Sequence, residues 1–580
     1  MSGSQKSGGE TPLRSKKWLC GNDKGSFVAR SYMKKLGLTH EALTEKPIIG
    51  ICNTWSELNP CNSNLRELAE CVRAGIQEAG GIPVEFPVMS LGEPLMRPTA
   101  MMHRNLASMD VEETIRSNPV DGVVLLAGCD KTTPALVMGA ASCDVPAILV
   151  SAGPMLNGKW HGKDIGSGTH MFGMMDDFRL GRMSEEELHK GEEAMSRSAG
   201  TCNTMGTAST MACLMETMGL SLPGNGTLPA PDSRRKTLAH QSGERIVEMV
   251  LGGLNISKIL KRESFENAIM VGSAIGGSTN AVVHLLAIAG RLAIDLKLDD
   301  WSSVGGKIPC ILNLMPSGKY LMEDFHYAGG LSALMNSIGD SLDLSAPTVS
   351  GVTLGDQVSG SKIYNTDVIK PLADPVAKEG GIAVLRGNLA PKGAVLKTSA
   401  ASQELFNHKG RAVVFENIDD YTRRIDDPDL DVNPEDILVL KNCGPVGYAG
   451  FPEVGNMALP AKLLAQGVND MVRISDSRMS GTAFGTVILH VAPEAAVGGP
   501  LSLVRDGDQI ELDIERQTLN LAVTEGELEA RRKKRTDDSV IARSGGYEQL
   551  FKEHVLQADE GCDFDFLRGC RGASVGKSYL

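Results

Sequence analysis

From Pro47 onward, short apolar runs alternate with stretches whose apolar positions recur every three to four residues. The runs at 47–51, 83–88, 122–127 and 145–151 read as strands, and 64–79 and 100–116 as helices. Strands alternating with helices imply a largely parallel sheet covered on both faces. Ser184-Glu185-Glu186-Glu187 is a capping-box start for a helix running toward Ser196. From Thr201 to about Ala293 the pattern is mostly helical, with Gly-rich breaks at 224–226 and 276–277. A further strand is expected at 310–314, after which the helical signal fades.

From about Val349 the chain changes style. Short runs at 381–386, 411–415, 436–440, 470–474, 486–491 and 509–514 lie between Gly, Pro and Asp turns, the pattern of a β-rich barrel or sandwich. The expected fold is therefore α/β: an N-terminal αβα domain with a largely parallel sheet over 24–377, and a C-terminal β-barrel-like domain over 378–580. The second domain closes with a charged helix at 525–535 and a loose tail. Residues 1–23, rich in Ser, Gly and Lys, read as a flexible arm.

A length of 580 residues allows two such domains and a large core. The net charge of -13 argues against a nucleic-acid partner; the basic run 531–535 follows Glu525, Glu527 and Glu529 and reads as a solvated helix face. Twelve cysteines are too sparse for a disulfide scaffold, no C-x-x-C pair occurs, and 1–17 lack the apolar core of a signal peptide. These features lead us to expect a reducing cytoplasm and no membrane partner, since no apolar run approaches a membrane span.

The chemistry concentrates in Leu125-Leu126-Ala127-Gly128-Cys129-Asp130-Lys131-Thr132-Thr133-Pro134, where polar residues begin as the strand ends. Ligands of open α/β sheets sit at such carboxyl ends. The thiolate suits soft iron or zinc and the carboxylate a hard cation such as magnesium, so one turn can serve two metals. Taken alone, the stretch also reads as a strand-to-helix loop with a buried Cys and a capping Asp. Two more segments share its character: Asn59-Pro60-Cys61-Asn62 and Gly200-Thr201-Cys202-Asn203-Thr204-Met205-Gly206, each with its Cys at a turn where free backbone N–H groups stabilise a thiolate.

Together with Gly276-Gly277-Ser278-Thr279-Asn280-Ala281 and Ser475-Asp476-Ser477-Arg478-Met479-Ser480-Gly481-Thr482, these segments resemble the dihydroxyacid and sugar-acid dehydratases, over most of the chain to Gly572. The resemblance implies that Cys61, Cys129 and Cys202 bind an iron-sulfur cluster, of the 2Fe-2S type, leaving one iron open as a Lewis acid. It implies a Mg2+ site of Glu93, Asp130, Glu453 and Lys131, the lysine carbamylated and so anionic. Ser480 is the implied base for the C2 proton; an unassisted Ser is too weak and needs a metal or a helix N-terminus beside it. Thr482 is a candidate substrate contact, as are His170 and Asp232-Ser233-Arg234-Arg235. The product expected is a 2-keto-3-deoxy acid, and the assembly a homodimer or homotetramer.

Branched-chain members of the family typically carry Asn-Met after Cys-Asp-Lys and Gly-Gly-Met-Tyr after the third Cys. Thr132-Thr133 and Asn203-Thr204-Met205-Gly206 depart from this and resemble the sugar-acid branch, especially the arabinonate and xylonate dehydratases. Alternatives are a dihydroxyacid dehydratase of branched-chain biosynthesis, a tetrahedral zinc site, and a non-catalytic iron-sulfur sensor or carrier. A nucleotide-binding protein is a further rival, because Gly153-Pro154-Met155-Leu156-Asn157-Gly158-Lys159 nearly completes a phosphate loop, although Trp160 stands where Ser or Thr is needed.

Overall fold

The computed structural model describes residues 12–534 and 545–574. Strands β1 (Ile48–Asn53), β2 (Ile82–Pro87), β3 (Gly122–Ala127) and β4 (Ala147–Ser151) form a parallel sheet in the order β2-β1-β3-β4. β1, β3 and β4 are buried along their whole length, as continuous Val/Ile/Leu runs require when both faces of a sheet are covered. Helices Leu65–Glu78 and Ser233–Leu251 pack together against the sheet. Helix Thr132–Cys143, buried at every residue, lies between β3 and the helices Arg104–Ser117 and Asn280–Arg291. A hairpin of β5 (Gly158–Trp160) and β6 (Lys163–Ile165) follows the first sheet. The 153–159 run therefore leads into a strand, and it has no helix N-terminus with which to receive a phosphate.

The second sheet has eight strands: β7 (Ala383–Leu385), β8 (Gly393–Leu396), β9 (Asn407–Phe415), β10 (Ile437–Leu440), β11 (Arg473–Ser475), β12 (Val487–Ala492), β13 (Gln509–Asp513) and β14 (Thr518–Leu521). Their order is β14-β13-β9-β10-β11-β12-β8-β7. The two ends meet where Arg386 N–H donates to Gln517 O (2.9 Å) and Leu519 N–H to Arg386 O (2.9 Å), so the sheet is a nearly closed barrel. Alternation along the strands divides the side chains among separate cores. Leu385, Leu396, Val414, Val439 and Ile488 fill the barrel, whereas Val384, Val395, Val487 and Leu489 join the core of the first domain. The barrel wall is thus also an inter-domain wall, and the loops at its rim reach the first sheet.

Four expectations need correction. Residues 310–314 make isolated bridges, Cys310 to Ala377 and Leu312 to Ile369, because their apolar side chains are buried without a neighbouring strand to pair with. The helical signal does not fade there: helices Met322–Tyr327, Gly330–Ser337 and Leu354–Val358 follow. From Pro12 on, the arm is held, since Ser15 N–H donates to Asp121 Oδ1 (2.7 Å) and Leu19 is buried against Ile48 and Ile82. Over 545–574 the tail is not loose either: Phe551 and Phe564 pack with Met101, Val283 and Phe451, and Arg291 pairs with Asp563 at 2.6 Å. Arg535 of the charged helix lies outside the described residues. Among the described residues, no helix is long and apolar enough to cross a membrane.

Candidate active site

β3 delivers Cys129 to the edge of the first domain, and the loop is stapled on both sides. Asn62 Oδ1 accepts the Cys129 N–H (2.9 Å) while Asn62 Nδ2 donates to Thr54, which ties the Cys61 turn to the Cys129 turn. Thr132 Oγ1 donates to Cys129 O (2.7 Å) and accepts from Gly128 N–H (3.0 Å). The neighbouring Cys61 thiol, together with burial, pushes the Cys129 thiol well up, while the Glu93 N–H aimed at its sulfur opposes the shift. Cys202 lies just before helix Thr207–Thr217, its thiol hydrogen-bonded to Ser167; burial and the nearby Asp130 push it up to about 12. Cys129 and Cys202, whose ionisation burial disfavours, form with Cys61 a set that soft metal would deprotonate on binding.

Next to the sulfurs is a cage of charge. The fully buried Lys131 amine lies 2.9 Å from Glu453 Oε1, 3.2 Å from Asp130 Oδ2 and 3.2 Å from Glu93 Oε2. Burial and Arg478 disfavour its charge, but the three carboxylates outweigh them and raise its pKa. Burial lifts the Glu453 carboxyl despite Lys131 and Arg478, whereas at Glu93 the two cations win and hold the carboxyl below its ordinary value. Glu93 Oε2 is buried and accepts no hydrogen bond despite the nearby amine. An ammonium thus fills a pocket of carboxylate oxygens that includes one orphaned acceptor. This hard donor set fits Mg2+.

Ser480 lies in the loop between β11 and β12, half-buried, with Oγ 2.8 Å from Thr482 Oγ1. Gly481 is pressed against the start of helix Thr207–Thr217: a Cβ on it would stand 2.7 Å from both Thr207 N and Ser278 Oγ. The positive end of an eleven-residue helix therefore faces the loop and favours negative charge there. Asn280 Nδ2 joins this loop to the cage, donating to Met479 O (3.2 Å) and to Glu453 Oε1 (2.7 Å). Cys61, Cys129, Cys202, Glu93, Asp130, Lys131, Glu453, Ser480 and Thr482 thus converge where the barrel rim meets the first sheet.

Descriptions of the N-terminal and C-terminal regions of the dihydroxy-acid/6-phosphogluconate dehydratases match residues 46–357 and 367–562. The chain belongs to this dehydratase family. It is an enzyme of the hydro-lyase type. An L-arabonate dehydratase of Azospirillum brasilense is 60% identical over 97% of this chain and 98% of its own length. The 6-deoxy-6-sulfo-D-gluconate dehydratase of Pseudomonas putida is 48% identical over 96% of each chain. A dihydroxy-acid dehydratase of Caldanaerobacter subterraneus is 39% identical over 92% of this chain and 96% of its own.

Other candidates in this dehydratase stand differently. His170 is near the base loop, where its Nδ1 accepts from Gly166 N–H (2.9 Å). Arg235 is buried and committed to the carbonyls of Ser151, Asn225 and Leu228, and Arg234 pairs with Asp232, so this run braces the fold. Sequence reasoning missed Asn62, Thr99, Gly168, Asn280 and Arg478. Asn62, Asn280 and Arg478 stood inside motifs already singled out, but only the fold shows what they hold.

Proposed function

We propose that this dehydratase removes water from a sugar acid, a five-carbon aldonate of the arabonate type, to give a 2-keto-3-deoxy acid. The observation that carries the substrate class is the 60% identity to an L-arabonate dehydratase, and the surround of the base is hydroxyl-rich. Thr482, Ser278 and Thr207 border the Ser480 loop, and Ser167 and Thr204 stand beside Cys202. These hydroxyls already bond within the protein, Thr207 to Ser278 (2.9 Å), Thr204 to Ser167 O (3.2 Å) and Ser480 to Thr482 (2.8 Å), so they make the surround polar without selecting the substrate by themselves. Similarity supports the same reading, being greater to the L-arabonate dehydratase than to the dihydroxy-acid dehydratase.

Cys61, Cys129 and Cys202 would hold a 2Fe-2S cluster, and Glu93, Asp130, Glu453 and a carbamylated Lys131 would hold Mg2+. When bound, the two centres supply Lewis acidity, the magnesium toward the substrate carboxylate and 2-hydroxyl and the iron toward the departing 3-hydroxyl. Ser480 takes the C2 proton, its negative charge favoured by the start of helix Thr207–Thr217. Thr482 Oγ1, 2.8 Å away, orients the Ser480 hydroxyl. The C2 proton and the 3-hydroxyl leave as water, and the enol becomes the 2-keto acid without net electron transfer. The enzyme works in a reducing cytoplasm as a homodimer or homotetramer, with its twelve cysteines unpaired.

A second reading, a six-carbon sugar acid, is favoured by the 48% identity to the sulfogluconate dehydratase. Anaerobically reconstituted protein supplied with L-arabonate, D-xylonate, D-gluconate and a branched dihydroxy acid separates these. Fastest keto-acid formation from L-arabonate is expected, whereas a preference for the branched acid would overturn the substrate assignment. Reversible reduction without any product would instead mark an electron carrier.

A further inference from the structure

The geometry points to Arg478 as the residue that presents the metal carboxylates, directly at Glu453 and through Thr99 at Glu93. This inference rests on the magnesium site proposed above. The Arg478 guanidinium is fully buried and each of its nitrogens is used. Nη1 donates to Glu453 Oε1 (2.7 Å), Nε to Phe451 O (2.6 Å) and Nη2 to Thr99 Oγ1 (3.2 Å). Thr99 Oγ1 in turn donates to Glu93 Oε1 (2.6 Å). Glu93 and Thr99 come from the first domain, Glu453 and Arg478 from the barrel, so one planar fork sets two carboxylates across the domain boundary.

The consequence is which oxygen each carboxylate leaves free. Glu453 Oε1 is saturated by Arg478, Asn280 and Lys131, at 2.7, 2.7 and 2.9 Å. Glu93 Oε1 is taken by Thr99, whereas Glu93 Oε2 is buried with no hydrogen bond. Thr99 thus occupies Oε1 of Glu93, and Arg478, Asn280 and Lys131 occupy Oε1 of Glu453, while Glu93 Oε2 faces only the Lys131 amine at 3.2 Å, so each glutamate would offer a cation its other oxygen. Arg478 also sets the charge: it offsets one of the three carboxylates of Glu93, Asp130 and Glu453 without entering the cage. A lysine there would keep the charge but lose the fork that reaches Glu453, Phe451 and Thr99 at once. Arg478 precedes Ser480 by two residues, so the group that orients the metal ligands also anchors the base loop.

Thr99→Val, Thr99→Ser and Arg478→Lys test this in the cluster-reconstituted enzyme, with Mn2+ as the probe and the free ion counted by its EPR signal. Thr99→Val and Arg478→Lys are expected to weaken Mn2+ about 10–100-fold, the range for partners that orient metal ligands. Thr99→Ser, which restores the hydroxyl, should bind close to wild type, and the visible absorption of the cluster should stay constant throughout. Thr99 Oγ1 also accepts Met101 N–H (3.3 Å), and a purely structural role there would lower the melting temperature of Thr99→Val without moving the Mn2+ affinity. Wild-type affinity in both Thr99→Val and Arg478→Lys would overturn the inference while leaving the magnesium site standing. A wild-type protein that binds no Mn2+ would overturn both.

Discussion

Lys131 Nζ lies 2.9 Å from Glu453 Oε1, although one residue follows a strand of the first sheet and the other belongs to the barrel domain. The amine is the central counter-charge of a cage built from both domains. Lys131→Met should leave buried carboxylates uncompensated and destabilise the metal-free protein by about 3 kcal/mol, the scale for breaking a buried pair. Added Mg2+ should then raise the melting temperature more in the variant than in wild type. A metal-free variant as stable as wild type would show that the cage is solvated enough to need no internal cation.

Cys129 is the sulfur on which the cluster proposal turns, being buried, next to Cys61 and within electrostatic reach of Cys202. Cys129→Ser keeps the size of the side chain and its backbone bond to Asn62. The variant should fold but lose the visible absorption and most of the iron of the reconstituted protein. Undiminished colour and iron content would move the ligand role elsewhere.

Ser480→Ala should lower kcat by about 100- to 10,000-fold, the usual worth of a positioned base, with the cluster absorption unaltered. The Thr482 hydroxyl would remain but would lose its 2.8 Å partner. Near-normal turnover would assign the proton to another group.

Asp476, two residues before Arg478, gives the fold a pH dependence. Burial, reinforced by Glu494, lifts its carboxyl from 3.8 to about 7. A folded-state value above the unfolded one means that stability is fully present below the unfolded value and is lost as pH rises through the folded one. The melting temperature should therefore fall between about pH 4 and about pH 7. Asp476→Asn should make that fall shallower without abolishing it, because burial raises Glu216 to about 7 as well. Equal slopes in the two proteins would place the titration outside Asp476.

What the sequence alone revealed follows from how local each signal is. The β3 run and its Cys129 turn were legible because an unbroken apolar strand ends abruptly in polar residues, and six barrel strands because Gly, Pro and Asp bracket them. β8 and β14 were not, since four residues carry too little alternation and β14 gains its meaning from closing the barrel at Arg386. Residues 310–314 were misread because a short buried run looks the same whether or not a strand pairs with it. Arg478 was visible in a motif but not in its role, which depends on Thr99, 379 positions away. The closing segment looked loose because Phe551 and Phe564 are too far apart to make a pattern, yet they share one apolar cluster.

Gly168 offers the most specific test of the base loop. Its φ of +76° lies in the left-handed region, and a Cβ on it would fall 2.0 Å from Thr482 Oγ1. Next to it, Thr169 Oγ1 donates to Thr482 O (2.8 Å), so this strap of the first domain fixes both the side chain and the backbone of Thr482. Thr482 in turn holds Ser480. Gly168→Ala must therefore either twist the strap or displace Thr482, and both movements turn the Ser480 hydroxyl away from its set direction. The loss should appear in kcat, because the base is misaligned, while Mn2+ affinity and cluster absorption hold, because neither the cage nor the cysteines touch Gly168. An alanine variant with wild-type kcat would mean that the strap does not orient the base. Loss of the cluster as well would mean that Gly168 supports the Cys202 turn through Ser167.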